Sequence, residues 1–280
     1  MTTRPDAAAM RAPLPTGWAR PFLHKGVRGA WIGMARLCLL AVPLVLAGMA
    51  RAEGPCRDTT FEGLPYTVCE VQAGDDLRVF QTAPDGAPYA GFARVDDALK
   101  AEGRRLAFAM NGGMYHPDRS PVGLLTEDGA ERAPIVTSAG PGNFGLLPNG
   151  VFCIKADGTF AVTESRRFAE TRPDCRFATQ SGPMLVISGA LHPRFLPKSD
   201  SLFRRNGVGV SDDGRCAVLA ISGRAVNFDS FARFFRDGLG LPDALYLDGQ
   251  ISRLYAPGLN RNDFGWAMGP ILGLAVPEGG

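Results

Sequence analysis

The amino-acid sequence predicts an α+β fold with mixed or mostly antiparallel sheets, a few short helices and a single compact domain. Short apolar stretches typical of strands outnumber amphipathic helices several to one along the chain. Most connections between these stretches are turns, in keeping with 35 glycines and 22 prolines among 280 residues. Parallel strands need long crossover connections, so this pattern excludes a doubly wound parallel sheet.

The strands and helices follow from apolar periodicity and from the turn residues between them. Strands are predicted at 66–71, 77–81, 106–110, 178–187, 207–211, 217–222 and 244–247. Between residues 143 and 162, Asn149-Gly150 and Asp157-Gly158 predict two turns that join three further strands. Two short helices are predicted, one burying Phe92, Val95 and Leu99 and one burying Phe231, Phe234 and Phe235. Asn227 can cap the second helix, which ends at Gly238.

The first 52 residues have the pattern of a secretion signal and are predicted to lie outside the domain. An apolar run at residues 37–46 follows two arginines and precedes small residues, with suitable cleavage points after Ala50 and Ala52. The run is shorter than the ~20 apolar residues of a membrane span. We therefore expect no stable membrane anchor after cleavage.

Cleavage would leave a domain at residues 53–280, with no linker that divides it. Met34 would begin a signal of ordinary length, so residues 1–33 are a candidate over-long gene start. The first 52 residues hold 7 of the 30 Lys and Arg and 1 of the 28 Asp and Glu, which leaves 23 basic and 27 acidic residues and a net charge of −4. Such a domain has no electrostatic reason to bind nucleic acid. We expect an exported protein, periplasmic or extracellular.

Five cysteines remain after residue 52, in agreement with export. Cys56 and Cys69 flank a short hairpin-like stretch and are the first pair that we expect to form a disulfide. Cys153 and Cys175 are a second candidate pair, which leaves Cys216 on a predicted core strand. No CxxC pair exists, which excludes zinc-ribbon and thioredoxin-like sites.

Two predicted strands end in the same way, with a polar side chain followed at once by glycine. Residues 106–113 read LAFAMNGG and residues 243–250 read DALYLDGQ. A polar side chain beside a residue without a Cβ can face a ligand that approaches the backbone closely. Asn111 and Asp248 therefore predict one shared site.

Two segments predict donors for an anionic group. Asn111, Gly112 and Gly113 could direct backbone N–H groups and an amide at an anion, and Tyr115 follows closely. The alternative is a turn that ends the strand. Arg205 precedes a glycine-spaced strand, where a guanidinium can contact a phosphate through two N–H groups. The alternative is a surface arginine before a hairpin.

Asp248 is the candidate for the chemistry itself. A carboxylate at the end of a strand of leucine and tyrosine is partly desolvated, which raises its basicity for acid, base or nucleophilic work. The alternative is an Asx-turn that closes the strand. Four further residues are predicted to line the substrate site: Ser181, Asn206, Gly249 and Ser252.

The sequence gives no reason to expect a metal or a cofactor. His116 and His192 are the only histidines after residue 52 and do not have metal-ligand spacing. No P-loop is present, and the GPGNFG stretch at residues 140–145 lacks the strand-turn-helix context of a dinucleotide site. We expect no cofactor and leave the need for a divalent cation open.

Six short motifs occur in one order along the chain. They are NGGMY at 111–115, PVGL at 121–124, GNF at 142–144, SGPML at 181–185, RNGVGV at 205–210 and LDGQIS at 247–252. In this order they resemble bacterial members of the phosphodiester glycosidase family, named after the enzyme that uncovers mannose 6-phosphate by removing N-acetylglucosamine. The resemblance spans roughly residues 66–274. The family continues the aspartate motif with glycines and serines, where this chain has Gln250, Ile251 and Arg253. This difference bears on the substrate more than on the chemistry.

The resemblance implies hydrolysis of a sugar-1-phosphodiester at the glycosidic bond. Ordinary glycosidases use a second carboxylate to protonate the leaving group, whereas a phosphate leaves as a stable anion. Arg205 and the turn at Asn111 would bind that phosphate. Asp248 would act as nucleophile, as base or as stabiliser of an oxocarbenium-like state. Three other carboxylates are candidates for a second catalytic group: Glu70, Glu127 and Asp128.

The predicted function is therefore an exported hydrolase acting on a carbohydrate or phosphoglycan. Its substrate would be a phosphodiester similar to N-acetylglucosamine-1-phosphodiester, in envelope or exopolysaccharide material. The alternative is an envelope protein of the same fold that binds a glycan or phosphoglycan without turnover.

Overall fold

Three sheets, in which every strand pairing is antiparallel, form the fold in the computed structural model, which describes residues 54–248 and 250–279. The seven-stranded sheet has the order β1 (Cys56–Phe61), β2 (Leu64–Gln72), β13 (Cys216–Ser222), β12 (Asn206–Val210), β14 (Asp243–Asp248), β10 (Met184–Ile187) and β11 (Ala190–Leu191). One five-stranded sheet has the order β16 (Arg261–Asn262), β15 (Leu254–Ala256), β4 (Arg104–Asn111), β17 (Ile271–Pro277) and β3 (Leu77–Phe80). The other has the order β6 (Ala130–Ala133), β5 (Leu125–Glu127), β9 (Cys175–Ser181), β7 (Gly150–Lys155) and β8 (Phe160–Glu164).

The helices are short and lie between strands. They are α1 (Phe92–Lys100), α2 (Ser165–Thr171) and α3 (Phe228–Arg233), which continues into a π-helical turn (Phe234–Gly238); a 3-10 turn (Pro257–Leu259) follows β15. Asn227 caps α3 as predicted, because its Oδ1 accepts a hydrogen bond from Ser230 N at 2.8 Å. The predicted α+β class and single domain are confirmed.

Alternation along β14 positions the candidate site. Leu245 and Leu247 enter the core that all three sheets share, whereas Ala244 and Tyr246 pack on the α3 side of the seven-stranded sheet. Side chains two residues apart on a strand share a face. Asp248 therefore lies on the same face as Tyr246, at the end of the strand.

Two predicted strands differ from the structure. Residues 143–148 form turns rather than a strand, and β7 begins at Gly150. The Asn149 side chain donates to Phe144 O at 2.9 Å and holds this segment in a loop, so Asn149-Gly150 is not a hairpin turn. Asp157-Gly158 does join β7 to β8.

The predicted strand at 178–187 is two strands in two different sheets. The chain leaves β9 at Ser181, passes Gly182 and Pro183, and enters β10 at Met184. Gly182 packs against Asn149, where a Cβ would lie 2.6 Å from the Asn149 Cβ. This close approach fixes the crossing point between the sheets.

Both predicted disulfides are present. Cys56–Cys69 joins β1 to β2, Cys153–Cys175 joins β7 to β9, and Cys216 carries a free thiol. The predicted signal at residues 1–52 lies outside the described residues. No helix in the described ranges has the length and apolarity to cross a membrane.

Candidate active site

A cleft of about 560 Å³ opens where β14 ends. Its polar lining comes from Tyr115, His116, Arg119, Asn143, Asp248 and Gln250, and its aromatic lining also includes Phe203, Tyr246 and Trp266. Among the described residues, Asp248 is the one carboxylate in this lining, and Arg119 is the one arginine. The sequence predicted Asp248 and Tyr115 for the site, and the structure brings both to the cleft.

Asp248 is half-buried at the cleft, and hydrogen bonds hold both its backbone and its carboxylate. Asp248 N donates to Asn206 Oδ1 at 3.1 Å, and Asp248 Oδ1 accepts from Gln250 N at 2.9 Å. The second contact is the Asx-turn that was the alternative interpretation of this residue. Asp248 therefore both closes an Asx-turn and lines the cleft, and the turn holds its carboxylate at the end of the strand.

A buried polar network connects the two strand ends beneath the cleft. Asn111 Nδ2 donates to Asn206 Oδ1 at 3.1 Å, and Asn206 Nδ2 donates to Asn111 O at 2.8 Å. Asn111 Oδ1 accepts from Arg253 N at 2.9 Å, and Ser252 Oγ donates to Asp248 O at 2.8 Å. The structure thus brings Asn111 and Asp248 together, with Asn206 between them. Asn111 and Asn206 are fully buried, so they support the cleft floor.

Gly112, Gly113 and Ser181, which were predicted to line the substrate site, are closely packed against other residues. A Cβ on Gly112 would lie 3.0 Å from Leu272 N, and one on Gly113 would lie 2.7 Å from Thr179 Oγ1. Ser181 is buried, and its Oγ donates to Leu247 O at 2.9 Å. Gly249 lies outside the described residues. The substrate-binding roles of these four residues stay predictions.

Arg205 is fully buried in an aromatic cage rather than open to the cleft. Its guanidinium carbon lies 3.6 Å from the ring centroid of Phe228. Its Nε donates to Val226 O and its Nη2 to Ser201 O, both at 2.9 Å, and its Nη1 donates to Tyr246 Oη at 3.2 Å. Burial lowers the pKa of Arg205 from its usual range. Arg205 therefore contacts the cleft through Tyr246.

The two tyrosines of the cleft remain neutral. Burial and then the Asp248 charge raise the pKa of Tyr115, and Arg119 opposes the shift. Burial also raises the pKa of Tyr246, with Asp248 adding to the rise and the Arg205 charge opposing it. Both phenols keep their protons at neutral pH and can act as hydrogen-bond donors.

Sequence reasoning missed Arg119, Tyr246 and Trp266. Tyr246 could have been found, because it precedes Asp248 by two residues and a strand places such residues on one face. Arg119 and Trp266 lie on loops without periodicity, and no local signal marks them. Their position depends on how the loops return to the cleft.

The three candidates for a second carboxylate lie outside the cleft lining. Glu70 pairs with Arg57, and Asp128 accepts from Arg176 Nε at 2.8 Å. Glu127 Oε1 accepts from Gln81 N at 2.7 Å. Within the described ranges, no group of three or more His, Cys, Asp or Glu side chains is arranged to hold a metal ion.

Comparisons with known proteins agree on one family and fold. Residues 104–272 match the family model described as phosphodiester glycosidase. The uncharacterized protein YigE of Escherichia coli (strain K12) is 31% identical over 227 residues, which cover 81% of this chain and 87% of YigE.

Two solved structures share the fold at low sequence identity. The catalytic domain of zebrafish N-acetylglucosamine-1-phosphodiester alpha-N-acetylglucosaminidase, auto-inhibited by its pro-peptide, has a TM-score of 0.53 at 17% identity, covering 78% of this chain and 81% of that one. A hypothetical protein from Synechocystis has a TM-score of 0.50 at 15% identity, covering 79% of this chain and 61% of that one.

Proposed function

Because this chain belongs to the phosphodiester glycosidase family, we propose that it is an exported hydrolase of glycosyl phosphodiesters. The bond broken would be the glycosidic bond of a sugar-1-phosphodiester similar to N-acetylglucosamine-1-phosphodiester. Family membership supports a glycosidase and a carbohydrate substrate. The particular sugar phosphodiester and its source in envelope or exopolysaccharide material are the finer parts of the proposal.

The charge pattern of the cleft is the observation that carries this proposal. Among the described residues its lining includes one carboxylate, Asp248, together with Arg119 and His116. A glycosidase with an alkoxide leaving group needs two carboxylates, whereas a phosphate leaving group needs cations and N–H donors. One carboxylate in the same cleft as an arginine and a histidine fits a phosphodiester.

The residues divide the work as follows. The C–O bond between the anomeric carbon and the phosphate would break, and the phosphate monoester would leave with that oxygen and the bonding electron pair. Water would then supply the new hydroxyl group of the anomeric carbon, directly or by hydrolysis of an ester to Asp248, and its other proton would go to Asp248 or to the phosphate. Asp248 would serve the sugar as nucleophile, base or electrostatic stabiliser, three roles that the proposal keeps open. Arg119 would contact the phosphate. Arg205 would hold Tyr246 in place from beneath the cleft, in place of the direct phosphate contact expected from the sequence.

Export is supported by the cysteines. Disulfides persist in oxidising compartments and are rare in the cytosol. The two disulfides join strand pairs in two different sheets. A periplasmic or extracellular location is therefore part of the proposal.

The test is release of sugar from an aryl N-acetylglucosamine-1-phosphodiester by the purified protein. Asp248→Asn keeps the side-chain shape and removes the charge, and it should lower kcat by about 10³-fold. Asp243→Asn is the matched control, because Asp243 lies at the opposite end of the same strand. This control should keep full activity.

Two results would contradict the proposal. Equal rates for the wild type and Asp248→Asn, across aryl phosphodiesters of several sugars, would remove Asp248 from the chemistry. Tight binding of these compounds without release of sugar would support the non-catalytic binding protein instead.

A further inference from the structure

The large apolar side chains that the described residues expose lie on two loops, and each loop contributes one of them to the cleft lining. They are Leu196, Leu202 and Phe203 on residues 193–204, and Phe264 and Trp266 on residues 263–267. We call these five side chains the rim. Phe264 and Trp266 are 91% and 77% exposed, and Phe203 and Trp266 also line the cleft. Exposed apolar groups on two loops that meet one cleft indicate a surface that binds another molecule or a membrane.

The second rim segment is held firmly while its aromatic side chains point outward. Arg253 Nε donates to Asp263 O at 2.9 Å, and Arg253 Nη1 donates to Trp266 O at 2.8 Å. Tyr115 Oη donates to Ala267 O at 2.9 Å from the cleft side. The backbone is therefore fixed by the body of the protein. The exposure of Phe264 and Trp266 is a built feature of the fold.

The first rim segment is fixed in a similar way. Asn227 Nδ2 donates to Pro197 O at 3.0 Å and to Ser199 O at 3.3 Å. Arg205 Nη2 donates to Ser201 O at 2.9 Å. Two separate loops thus present apolar side chains around one cleft, each held by donors from the body of the protein.

The first rim segment carries an excess of positive charge. Residues 193–204 contain Arg194, Lys198 and Arg204 against one acidic residue, Asp200. Arg194 and Lys198 are exposed, and neither forms an ion pair with any residue in the described ranges. Long cationic side chains beside apolar ones can reach phosphate groups while their stems cover apolar surface.

From these features we propose that the rim docks on a lipid bilayer that carries anionic headgroups. Trp, Phe and Leu side chains enter the boundary between headgroups and acyl chains, and Lys and Arg side chains bind the headgroup phosphates. Phe264 and Trp266, at 91% and 77% exposure on one loop, suit insertion into lipid better than they suit a flat protein interface. Docking brings the mouth of the cleft to the headgroups. In conjunction with the proposed function, this makes a glycosyl phosphodiester carried on a lipid the substrate class.

The test follows Trp266 itself. The chain has three tryptophans, at positions 18, 31 and 266, so the full chain with Trp18→Phe and Trp31→Phe has Trp266 as its one indole fluorophore. We expect vesicles of phosphatidylcholine mixed with phosphatidylglycerol to shift its emission to shorter wavelength. Lipids brominated on their acyl chains should quench it. The Trp266 emission measures contact between the rim and lipid and needs no enzymatic activity. A failure of lipid docking can therefore be distinguished from a failure of the proposed function.

Variants identify which contacts drive docking. Phe264→Ala should weaken vesicle binding about tenfold, because one large apolar side chain no longer enters the lipid. Arg194→Gln and Lys198→Gln should each weaken it about fivefold. Arg215→Gln is the charge control, since Arg215 lies in the β12–β13 turn at the opposite end of the sheet from Asp248. It should leave binding unchanged.

Three results would overturn the proposal. Trp266 emission that does not respond to anionic vesicles would show that the rim does not meet lipid. A shift with soluble oligosaccharide instead of vesicles would make the rim a sugar-binding surface. A shift that follows protein concentration without lipid would make it an interface between copies of the chain.

Discussion

Arg119 is the arginine that the cleft presents to a ligand, and its role can be separated from that of Asp248. Its guanidinium carbon lies 5.3 Å from the ring centroid of Tyr115. We expect Arg119→Gln to lower hydrolysis of an aryl sugar phosphodiester by about 10²-fold, because a donor to the phosphate is lost. Slow hydrolysis of the matching aryl glycoside without phosphate should not change. Equal loss on both substrates would argue against a phosphate contact.

Arg205 has a different expected role, which stability measurements can reveal. Arg205→Met removes the hydrogen bonds that the buried guanidinium donates to Val226 O, Ser201 O and Tyr246 Oη, and a typical hydrogen bond contributes about 0.5–1.5 kcal/mol. We expect the urea midpoint to fall clearly. Arg215→Met is the matched control, because Arg215 is exposed in the β12–β13 turn and such changes stay within about 0.5 kcal/mol. If Arg205→Met kept its stability and lost only phosphodiester activity, the result would support a direct contact between Arg205 and the phosphate.

The sequence could place Asp248 and Asn111 near each other, but it could not say which one faces the cleft. Strand alternation and the following glycines indicate that both are special. Asn111 is nevertheless fully buried, while Asp248 is half-buried at the cleft. Exposure depends on what packs over each strand end, and that packing involves residues far apart in the sequence. The same reason explains why Arg119 could not be found.

Strand β12 shows how the sequence determines the packing of an element. Its alternate glycines let the helical segment after Asn227 approach the sheet closely, since a Cβ on Gly209 would lie 2.7 Å from Leu241 Cδ1 and 2.8 Å from Phe235 Cδ1. We expect Gly209→Ala to destabilise the protein by about 1–3 kcal/mol in urea unfolding. Gly258→Ala is the control, because a Cβ there meets open space. Equal midpoints for both variants would contradict this account.

Elements with a clear local pattern could be predicted from the sequence. Elements whose bounds depend on packing against distant segments of the chain could not. The Phe231, Phe234 and Phe235 stripe and the Asn227 cap predict the second helix, and the structure agrees. The single strand predicted at 178–187 is divided between two sheets, because Gly182 packs against a distant residue. Apolar periodicity reports burial but does not identify the sheet to which a strand belongs.

At the level of the whole molecule, the three sheets share one core, so the disulfides add to the stability of a fold that the core already holds together. That core includes side chains from all three sheets, so we expect the fold to survive reduction. The disulfides close stretches of 13 and 22 residues, and each should add about 3 kcal/mol by restricting the unfolded chain. Dithiothreitol should therefore lower the urea midpoint while the near-ultraviolet circular dichroism persists. Cys216→Ser should change neither, because Cys216 has no disulfide partner. Loss of the near-ultraviolet signal on reduction would mean that the core alone does not hold the sheets together, and that folding requires an oxidising compartment.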